Sequence, residues 1–416
     1  MCRRICTTYV DPGCLYAFTA CRLIALNKCP GIRPIGIGEV VCRILGKAIL
    51  ATIGNDIQKA AGALQVCAGQ QAGCESAVHA MRKILDDPTT EAVLLVDASN
   101  AFSTLNRKVA LLNIHNNCPS LAKVLINTYR HNPLLFVDGE VLLSQEGTTQ
   151  GDPLAMAMYA IGTLPLIHKL RQQVKQVWYA DDATAGGSLH NLRSWWNQLL
   201  RCGPDFGYYA NAPKTWLIVK QEHLALANEI FADSGVKITV DGRRHLGATL
   251  GSRSFAEAYV MNKVQKWVRE VDRLSLFASS QPQAAYAALT HGLYSKWTFL
   301  LRTIPDIQDL LQPLEEAIQH NLLPALTGKT GINDLERNLL ELPVRLGGLG
   351  IVNPAKTAAA HHDSSLHITA PLAALILQQE TAYPHNINEK QATIKRTLKS
   401  EEDKSRQKMQ QEYGLN

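Results

Sequence analysis

The chain has 416 residues, of which 46% are hydrophobic and 19% charged, and its formal net charge is +6. This composition is that of ordinary globular proteins, which excludes a disordered chain and a membrane protein, and the length suffices for two or three structural units. The mild positive charge is compatible with a nucleic-acid partner and does not establish one.

The cysteines and the apolar runs indicate a protein that stays inside the cell and off the membrane. Ten cysteines are present without any C-x-x-C pair, so no zinc-finger spacing can be built and reduced thiols are expected. The longest apolar run, residues 154–167, is too short to span a membrane and contains Pro165. We therefore expect an intracellular location, in the nucleus or the cytoplasm.

The first predicted element, after a lead-in of about 20 residues, is a β-hairpin. Two short strands are joined by a Pro30-Gly31 turn, and Lys28 and Arg33 flank that turn. Their charges could converge on phosphate groups, or both could be ordinary solvated cations. Helical periodicity follows at residues 39–53, 73–85, 106–114 and 121–129.

A strand that ends on a carboxylate lies between the second and third of these helices. Residues 92–96 form a short apolar run, as expected of a strand buried on both faces, and Asp97 follows directly. Phe102 comes at the next turn, where a core aromatic is the simplest interpretation.

The stretch Gln150-Gly151-Asp152-Pro153 predicts the start of a helix. Asp152 suits the N-cap and Pro153 the first helical position. Gly151 allows the backbone to approach a ligand closely, and Gln150 offers both a donor and an acceptor. A buried, capped helix explains the same residues without a ligand.

Two adjacent carboxylates, Asp181 and Asp182, lie between two predicted strands. We predict a tight hairpin with this pair as its two-residue tip. Such a pair is either a solvated turn or half of a metal site, because adjacent like charges need screening. With Asp97, the pair would bring three carboxylates to one point, the arrangement that holds two Mg²⁺ ions roughly 3.5 to 4 Å apart.

The second half of the chain adds a lysine, a short turn and a basic helix. Lys214 enters a predicted strand, and His245-Leu246-Gly247 follows another. Long helices are predicted at residues 255–277, 284–301 and 306–323. Four cations recur on one face of the first helix, forming either a solvated face or a surface for a nucleic-acid backbone: Lys263, Lys266, Arg269 and Arg273.

Taken together and in this order, these motifs resemble the reverse transcriptases of non-LTR (LINE-type) retrotransposons and group II introns. The motifs are the Asp97 strand, Gln150-Gly151-Asp152-Pro153-Leu154, Tyr179-Ala180-Asp181-Asp182, the Lys214 strand and His245-Leu246-Gly247. Each is weakly specific alone, whereas the ordered set is strong. The resemblance spans roughly residues 28–250, with a weaker similarity to about residue 352.

The resemblance implies an α+β right-hand polymerase fold. We expect a lead-in over residues 1–20 and then fingers and palm, an antiparallel sheet plus helices, over residues 21–250. An α-helical thumb with a Gly-rich turn after it would occupy residues 251–352, and a helical or disordered tail residues 353–416.

The activity implied is RNA-directed DNA synthesis, with an RNA template, a DNA primer and dNTP as partners. The sequence indicates no obligate protein partner. Asp97, Asp181 and Asp182 would hold two Mg²⁺ ions, with Mn²⁺ as an alternative, and Lys214 would protonate the leaving pyrophosphate. The resemblance assigns nucleotide binding to Lys28, Arg33, Phe102, Gln150 and Gly151. It assigns nucleic-acid binding to His245, Leu246, Gly247, Lys263, Lys266, Arg269 and Arg273.

The resemblance implies more specific roles for three of these residues, Phe102, Gln150 and Gly151. The Phe102 ring would close the sugar pocket against a 2′-hydroxyl. The helix after Gln150 and Gly151 would support the nascent base pair.

Two other classes of protein fit part of the pattern. A palm-type nucleotidyl cyclase also uses strand-end carboxylates and two metals, but it needs neither the Gln150-Gly151 helix nor a long basic thumb. A catalytically inactive or domesticated remnant of a mobile element, binding nucleic acid, is the alternative function. No endonuclease, RNase H or zinc-knuckle segment is recognised, so we expect either a fragment of an element's polymerase or a polymerase whose target nick is made elsewhere.

Overall fold

A computed structural model describes residues 2–28, 31–171 and 173–412, and the chain forms two compact units. The first unit contains the residues up to Val240 together with Leu372–Ile387. The second contains Asp241–Pro371 together with the residues from Asn388 onward. The boundary predicted from the sequence was residue 250, and residues 353–416 were expected to form one tail.

Eleven strands are found in the described ranges. They are β1 (Cys21–Asn27), β2 (Ile32–Gly38), β3 (Ala92–Val96), β4 (Leu134–Val137), β5 (Glu140–Leu143), β6 (Lys175–Tyr179), β7 (Asp182–Gly187), β8 (Trp216–Val219), β9 (Lys237–Thr239), β10 (Gly242–His245) and β11 (Ala248–Gly251). Pro30 of the predicted Pro-Gly turn between β1 and β2 lies outside the described residues.

The helices of the first unit carry most of the remaining chain up to Val240. They are α1 (Cys2–Thr7), α2 (Tyr16–Thr19), α3 (Val40–Ala61), α4 (Gly73–Asp86), α5 (Ala101–Thr104), α6 (Arg107–Asn117), α7 (Pro119–Tyr129), α8 (Ala155–Gly162), α9 (Leu164–Lys169), α10 (Leu189–Cys202) and α11 (Leu224–Ile230).

Eight further helices follow in the described part of the chain. They are α12 (Arg253–Ala278), α13 (Pro282–Ala288), α14 (Tyr294–Thr303), α15 (Gln312–Ala317), α16 (Leu323–Thr327), α17 (Asp334–Glu341), α18 (Pro354–Gln378) and α19 (Ile387–Glu412). The predicted long helices are found, with two differences: single π-helical turns at Leu289–Leu293 and Ile318–Leu322 interrupt two of them, and the helix predicted from residue 306 begins only after a 3-10 turn at Asp309–Leu311. None of the helices described here is both long enough and apolar enough to cross a membrane.

A five-stranded sheet in the order β6-β7-β3-β8-β9 forms the centre of the first unit. The apolar run of β3 is flanked on both edges, by β7 and β8, and four of its five residues are buried. The prediction of a central strand that ends at Asp97 is therefore confirmed. Helix α10 packs on this sheet and buries both Trp195 and Trp196.

A second sheet of the first unit has the order β2-β1-β4-β5. The predicted β1–β2 and β4–β5 hairpins are confirmed, and Asp138 and Gly139 at the tip of the latter both have the positive φ of a tight turn. The predicted antiparallel pairing is found only in part. Strand β1 pairs with β4 in parallel, and β8 pairs with β9 in parallel. Each of these pairs is joined by a long crossover, which parallel pairing requires.

The predicted α+β class is confirmed, while one predicted helix start is wrong. Helix α8 begins at Ala155, because the Asp152 Oδ1 atom accepts the Leu154 N–H at 2.8 Å and forms a turn ahead of the helix. The other carboxylate oxygen of Asp152 accepts from the Tyr129 hydroxyl at 2.5 Å. Asp152 therefore ties the loop to α7 instead of capping α8.

The second unit is a small hairpin, β10–β11, followed by packed helices. One face of α12 is buried through Val260, Val264, Trp267 and Val271, and the Trp267 ring meets the Trp297 ring edge-on at 6.0 Å. A buried ion pair between Glu315 and Arg337 links α15 to α17. The nine cysteines within the described ranges form no disulfide with one another, and Cys29 lies outside them.

Candidate active site

Asp97 lies directly after β3, at the end of the central strand. Its main-chain carbonyl accepts the Asn211 N–H at 2.8 Å, which fixes the strand end against the loop before β8. The Lys214 Nζ atom is 3.8 Å from the Asp97 Oδ2 atom, and the two side chains are 60% and 42% exposed. This exposed ion pair adds little to stability, but it keeps an amine beside the carboxylate.

The second acidic group lies in the turn between β6 and β7, and the predicted tip of this hairpin is wrong by one residue. Tyr179 pairs with Asp182, so the two turn residues are Ala180 and Asp181, while Asp182 is the first residue of β7. Ala180 has a φ of 54°, a left-handed conformation that costs a residue with a Cβ atom roughly 1–2 kcal/mol. The turn therefore needs outside contacts to keep this shape.

Two residues that were not predicted from the sequence supply such contacts. The Gln65 amide bonds to both main-chain groups of Ala180, and the buried Tyr208 donates its hydroxyl to the Asp181 carbonyl at 2.9 Å. The sequence signal for Gln65 is a single amide inside the apolar run Leu64-Gln65-Val66, whereas nothing in the sequence marks Tyr208.

Three of the predicted residues act electrostatically on a fourth, Asp181. Burial raises the pKa of the Asp181 carboxyl above its ordinary value, and the charge of Asp97 raises it further. The charges of Arg33 and Lys28 lower it. Val96 pairs with Ala183, so the end of β3 lies beside the β6–β7 turn, and charges from the β1–β2 hairpin act on that turn.

The Asp182 side chain is exposed at the start of β7. The charges of Asp181, Asp182 and Asp97 all contribute to the raised pKa of the buried Tyr208 hydroxyl, after desolvation. Within the described residues, no group of three His, Cys, Asp or Glu side chains could hold a metal ion by itself. Mg²⁺ is commonly held by one or two carboxylates together with substrate phosphates and water, and Asp97 with Asp181 fits that pattern.

Phe102 lies in the short helix α5 after Asp97. Its side chain is half-buried, and its ring stacks on the Tyr159 ring with 4.7 Å between the centroids and 21° between the planes. The Phe102 carbonyl accepts the Thr148 N–H at 2.7 Å. One face of the ring is thus packed on α8, and the side chain keeps some exposed surface.

Gln150 and Gly151 meet β2. The Gln150 carbonyl accepts the Gly36 N–H at 2.7 Å, and a Cβ atom on Gly151 would lie 2.3 Å from the Gly36 carbonyl oxygen. Gly151 also has a φ of 112°, so this position requires glycine for a structural reason. A role of these two residues toward a ligand stays a prediction.

His245, Leu246 and Gly247 form the β10–β11 hairpin of the second unit. Leu246 and Gly247 are the turn residues, with φ values of 46° and 90°, and His245 pairs with Ala248. The Tyr259 hydroxyl of α12 donates to the Gly247 carbonyl at 3.1 Å. The predicted turn exists, and its contact with α12 makes its shape well defined.

The four predicted cations of α12 lie on the side of the helix away from its buried face. Lys266, Arg269 and Arg273 are exposed and Lys263 is partly exposed, with its Nζ atom 5.6 Å from the centre of the Tyr259 ring. Within the described part of the chain, none of the four forms an ion pair. We name these four residues the α12 basic stripe.

Known proteins resemble the chain at the level of the family. Residues 26–250, more than half of the chain, match the family "Reverse transcriptase (RNA-dependent DNA polymerase)". The "Retrotransposable element SLACS 132 kDa protein" of Trypanosoma brucei gambiense is 24% identical over an alignment of 367 positions, which covers 82% of this chain and 29% of that protein. The chain thus spans less than a third of the length of this relative.

Two solved structures are similar over most of the chain. Telomerase from Candida albicans, in complex with a TWJ fragment of telomeric RNA, has 10% identity and a TM-score of 0.46 over 90% of this chain and 64% of that one. Telomerase from Candida tropicalis with the same kind of fragment has 11% identity and a TM-score of 0.47 over 91% and 64%. The family match covers the strands and turns that carry Asp97, Asp181, Asp182, Gln150 and Lys214, and the chain belongs to the reverse transcriptase family.

Proposed function

We propose that the protein is an RNA-directed DNA polymerase of a retrotransposon, which transfers a nucleotide from dNTP to the 3′-hydroxyl of a DNA primer on an RNA template. The observation that carries this proposal is the proximity of Asp97 and Asp181, whose charges interact, with Arg33 and Lys28 acting on the same carboxyl. Family membership supports the polymerase reaction over the nucleotidyl cyclase alternative.

The acidic pair suits two divalent cations, Mg²⁺ or Mn²⁺. When bound, such ions activate the attacking hydroxyl and neutralise the charge that develops on the triphosphate. Asp97 and Asp181 are the residues that would hold them, and the exposed Asp182 would add negative charge beside them. Two protein carboxylates suffice because the phosphates of the nucleotide supply further ligands.

The cations around the carboxylates have separate roles in the proposal. Arg33 and Lys28 neutralise the triphosphate from the β1–β2 hairpin. The protonated amine of Lys214, held beside Asp97, donates a proton to the leaving pyrophosphate. Because Lys214 is well exposed, it can follow the leaving group without breaking a buried contact.

The elements around α8 are proposed to bind the sugar and the base of the nucleotide. Phe102, backed by Tyr159, forms the wall that a 2′-hydroxyl would strike. The Gln150 amide offers a donor and an acceptor to the nascent base pair, and Gly151 holds that loop against β2.

The second unit would bind the nucleic acid. The β10–β11 turn, His245-Leu246-Gly247, is proposed to hold the primer end. The α12 basic stripe is proposed to bind backbone phosphates, since four cations that form no ion pair within the described ranges line one face of the helix.

Changing the four residues of the α12 basic stripe to Gln should weaken primer-template binding equally for all sequences. For every phosphate that the protein no longer neutralises, the slope of log affinity against log salt should decrease in magnitude by about 0.7 to 0.9. Fluorescence anisotropy at several salt concentrations measures both effects. Changing Lys296, which pairs with Glu270 at 2.8 Å, to Gln is the matched control, and an unchanged slope in the stripe variant would mean that the stripe is only a solvated surface.

A primer-extension assay tests the proposed function directly. The purified chain, an RNA template annealed to a DNA primer, dNTPs and Mg²⁺ or Mn²⁺ should give extended primers, and omission of the metal should prevent extension. Binding of the primer-template without extension under any of these conditions would instead support an inactive remnant. The location in nucleus or cytoplasm and the lack of an obligate protein partner remain predictions.

A further inference from the structure

The β6–β7 turn, which carries Asp181, is held by a residue far away in the sequence. Segment 64–66 runs beside β6: the Trp178 N–H donates to the Leu64 carbonyl at 2.7 Å, and the Val66 N–H donates to the Trp178 carbonyl at 2.9 Å. These main-chain bonds stop where the chain turns at Ala180. Beyond that point the Gln65 side chain continues the pairing.

The Gln65 amide satisfies both main-chain groups of Ala180. Its Oε1 atom accepts the Ala180 N–H at 2.9 Å, and its Nε2 atom donates to the Ala180 carbonyl at 3.1 Å. Gln65 is fully buried, so water cannot replace either bond. A primary amide can donate and accept at once, whereas a leucine of similar size can do neither.

The segment that carries Gln65 is itself fixed from behind. The Ala63 N–H donates to the Thr381 carbonyl at 3.1 Å, and a Cβ atom on Gly62 would lie 2.2 Å from the same oxygen. Residues 372–387, which belong to the first unit, therefore hold segment 62–66 in place. The segment of Gln65 is thus bonded to β6 on one side and to Thr381 on the other.

We propose that Gln65 is a positioning residue for the polymerase reaction, whose amide keeps the left-handed Ala180 in place and so keeps the Asp181 carboxylate beside Asp97. This inference rests on the proposed function, because Asp181 is taken as a metal-holding residue. Tyr208 fixes the other side of the same turn through the Asp181 carbonyl. Without the Gln65 amide, the turn would keep the Tyr208 bond and relax around Ala180.

The test compares Gln65→Leu with a matched variant, Gln176→Leu. Gln176 is also a fully buried amide, and it lies on β6 itself. Its side chain bonds to the Ile167 carbonyl and to the indole N–H groups of Trp178 and Trp195, so it supports the core and does not bond to the turn. Both substitutions remove a buried amide, and only the first removes the hydrogen bonds to Ala180.

Four measurements distinguish positioning from stability: melting temperature, hydrogen exchange of the peptide containing Ala180, affinity for Mn²⁺ alone, and kcat and KM for dNTP. For Gln65→Leu we expect faster exchange at Ala180 and weaker Mn²⁺ binding. Its kcat should fall by about tenfold to a hundredfold, the upper value being typical of a 1 Å misplacement, while primer-template affinity stays unchanged. Gln176→Leu should lower the melting temperature at least as much and keep the parental Mn²⁺ affinity and kcat.

Two results would overturn the proposal. One is a Gln65→Leu protein with parental Mn²⁺ affinity and parental exchange at Ala180. The other is an equal loss of Mn²⁺ affinity in both variants, which would show a general effect of core damage. If the parent protein extends no primer at all, the polymerase assignment fails, whereas exchange and Mn²⁺ binding still decide the role of Gln65.

Discussion

An Asp181→Asn protein is expected to extend primers at least about a hundredfold more slowly than the parent, a loss of roughly 2.7 kcal/mol of transition-state stabilisation. The substitution keeps the size of the side chain and the main-chain bonds of the turn, including the one from Tyr208. It removes the negative charge that would hold a metal ion against Asp97. Single-turnover extension on an RNA template measures the loss.

The same Asp181→Asn substitution should not lower the stability of the protein, although it lowers the rate. Burial and the charge of Asp97 raise the pKa of Asp181, so its ionised form costs folding free energy at neutral pH. That cost is fully present above the pKa of the Asp181 carboxyl in the folded protein. It disappears as the pH falls below the pKa of the same carboxyl in the unfolded chain. The Asn variant avoids the cost, and its melting temperature at neutral pH should equal or exceed that of the parent.

Asp97→Asn should lower the rate to a similar extent, and Asp182→Asn less, because Asp182 starts β7 and is exposed. The exposed Asp205→Asn is the matched control and should leave the rate unchanged. An Asp181→Asn protein that extends primers at the parental rate would refute the assignment of the active site. A lower melting temperature in that variant would show that the folded protein stabilises the Asp181 charge more than water does.

The positions of the acidic groups could be predicted because each lies at the end of a local pattern. The apolar run before Asp97 predicts a buried strand, and the strand-like runs on either side of the Asp181-Asp182 pair predict a hairpin. The tip of that hairpin was wrong by one residue, since its register depends on pairing between Tyr179 and Asp182 and on an Ala180 conformation that short-range statistics disfavour. Only a contact from outside the hairpin makes that conformation favourable.

The residues that could not be predicted act over long sequence separations. Gln65 bonds to a residue 115 positions away, so no periodicity in its own segment could indicate it. Residues 372–387 return to the first unit after the helices of the second, although they were predicted to be part of the tail, because pairing of Ala63 with Thr381 leaves no mark in either segment. Gly151 was interpreted either as a close approach to a ligand or as part of a buried helix start, and nothing in its own segment indicates its close approach to Gly36.

Phe102 is the residue for which sugar selection and structural packing make clearly different predictions. If its ring closes the sugar pocket, Phe102→Val opens room for a 2′-hydroxyl, and ribonucleotide incorporation should rise by about ten- to a hundredfold relative to deoxynucleotide incorporation. Deoxynucleotide use should fall only modestly, because the ring supports the pocket and does not contact the reacting atoms. Competition between ribo- and deoxynucleotides on the same template measures the ratio.

If Phe102 only packs on Tyr159, the same substitution should lower stability and leave the ratio unchanged. The cost should stay below the roughly 3–5 kcal/mol of a fully buried Phe→Ala change, because Phe102 is half-buried and valine retains part of the packing. Phe231→Val, at a buried aromatic of the same unit, is the matched control and should lower the melting temperature without altering the ratio. A Phe102→Val protein with a lowered melting temperature and the parental ratio would end the sugar-pocket hypothesis, while the polymerase assignment would still stand on Asp97 and Asp181.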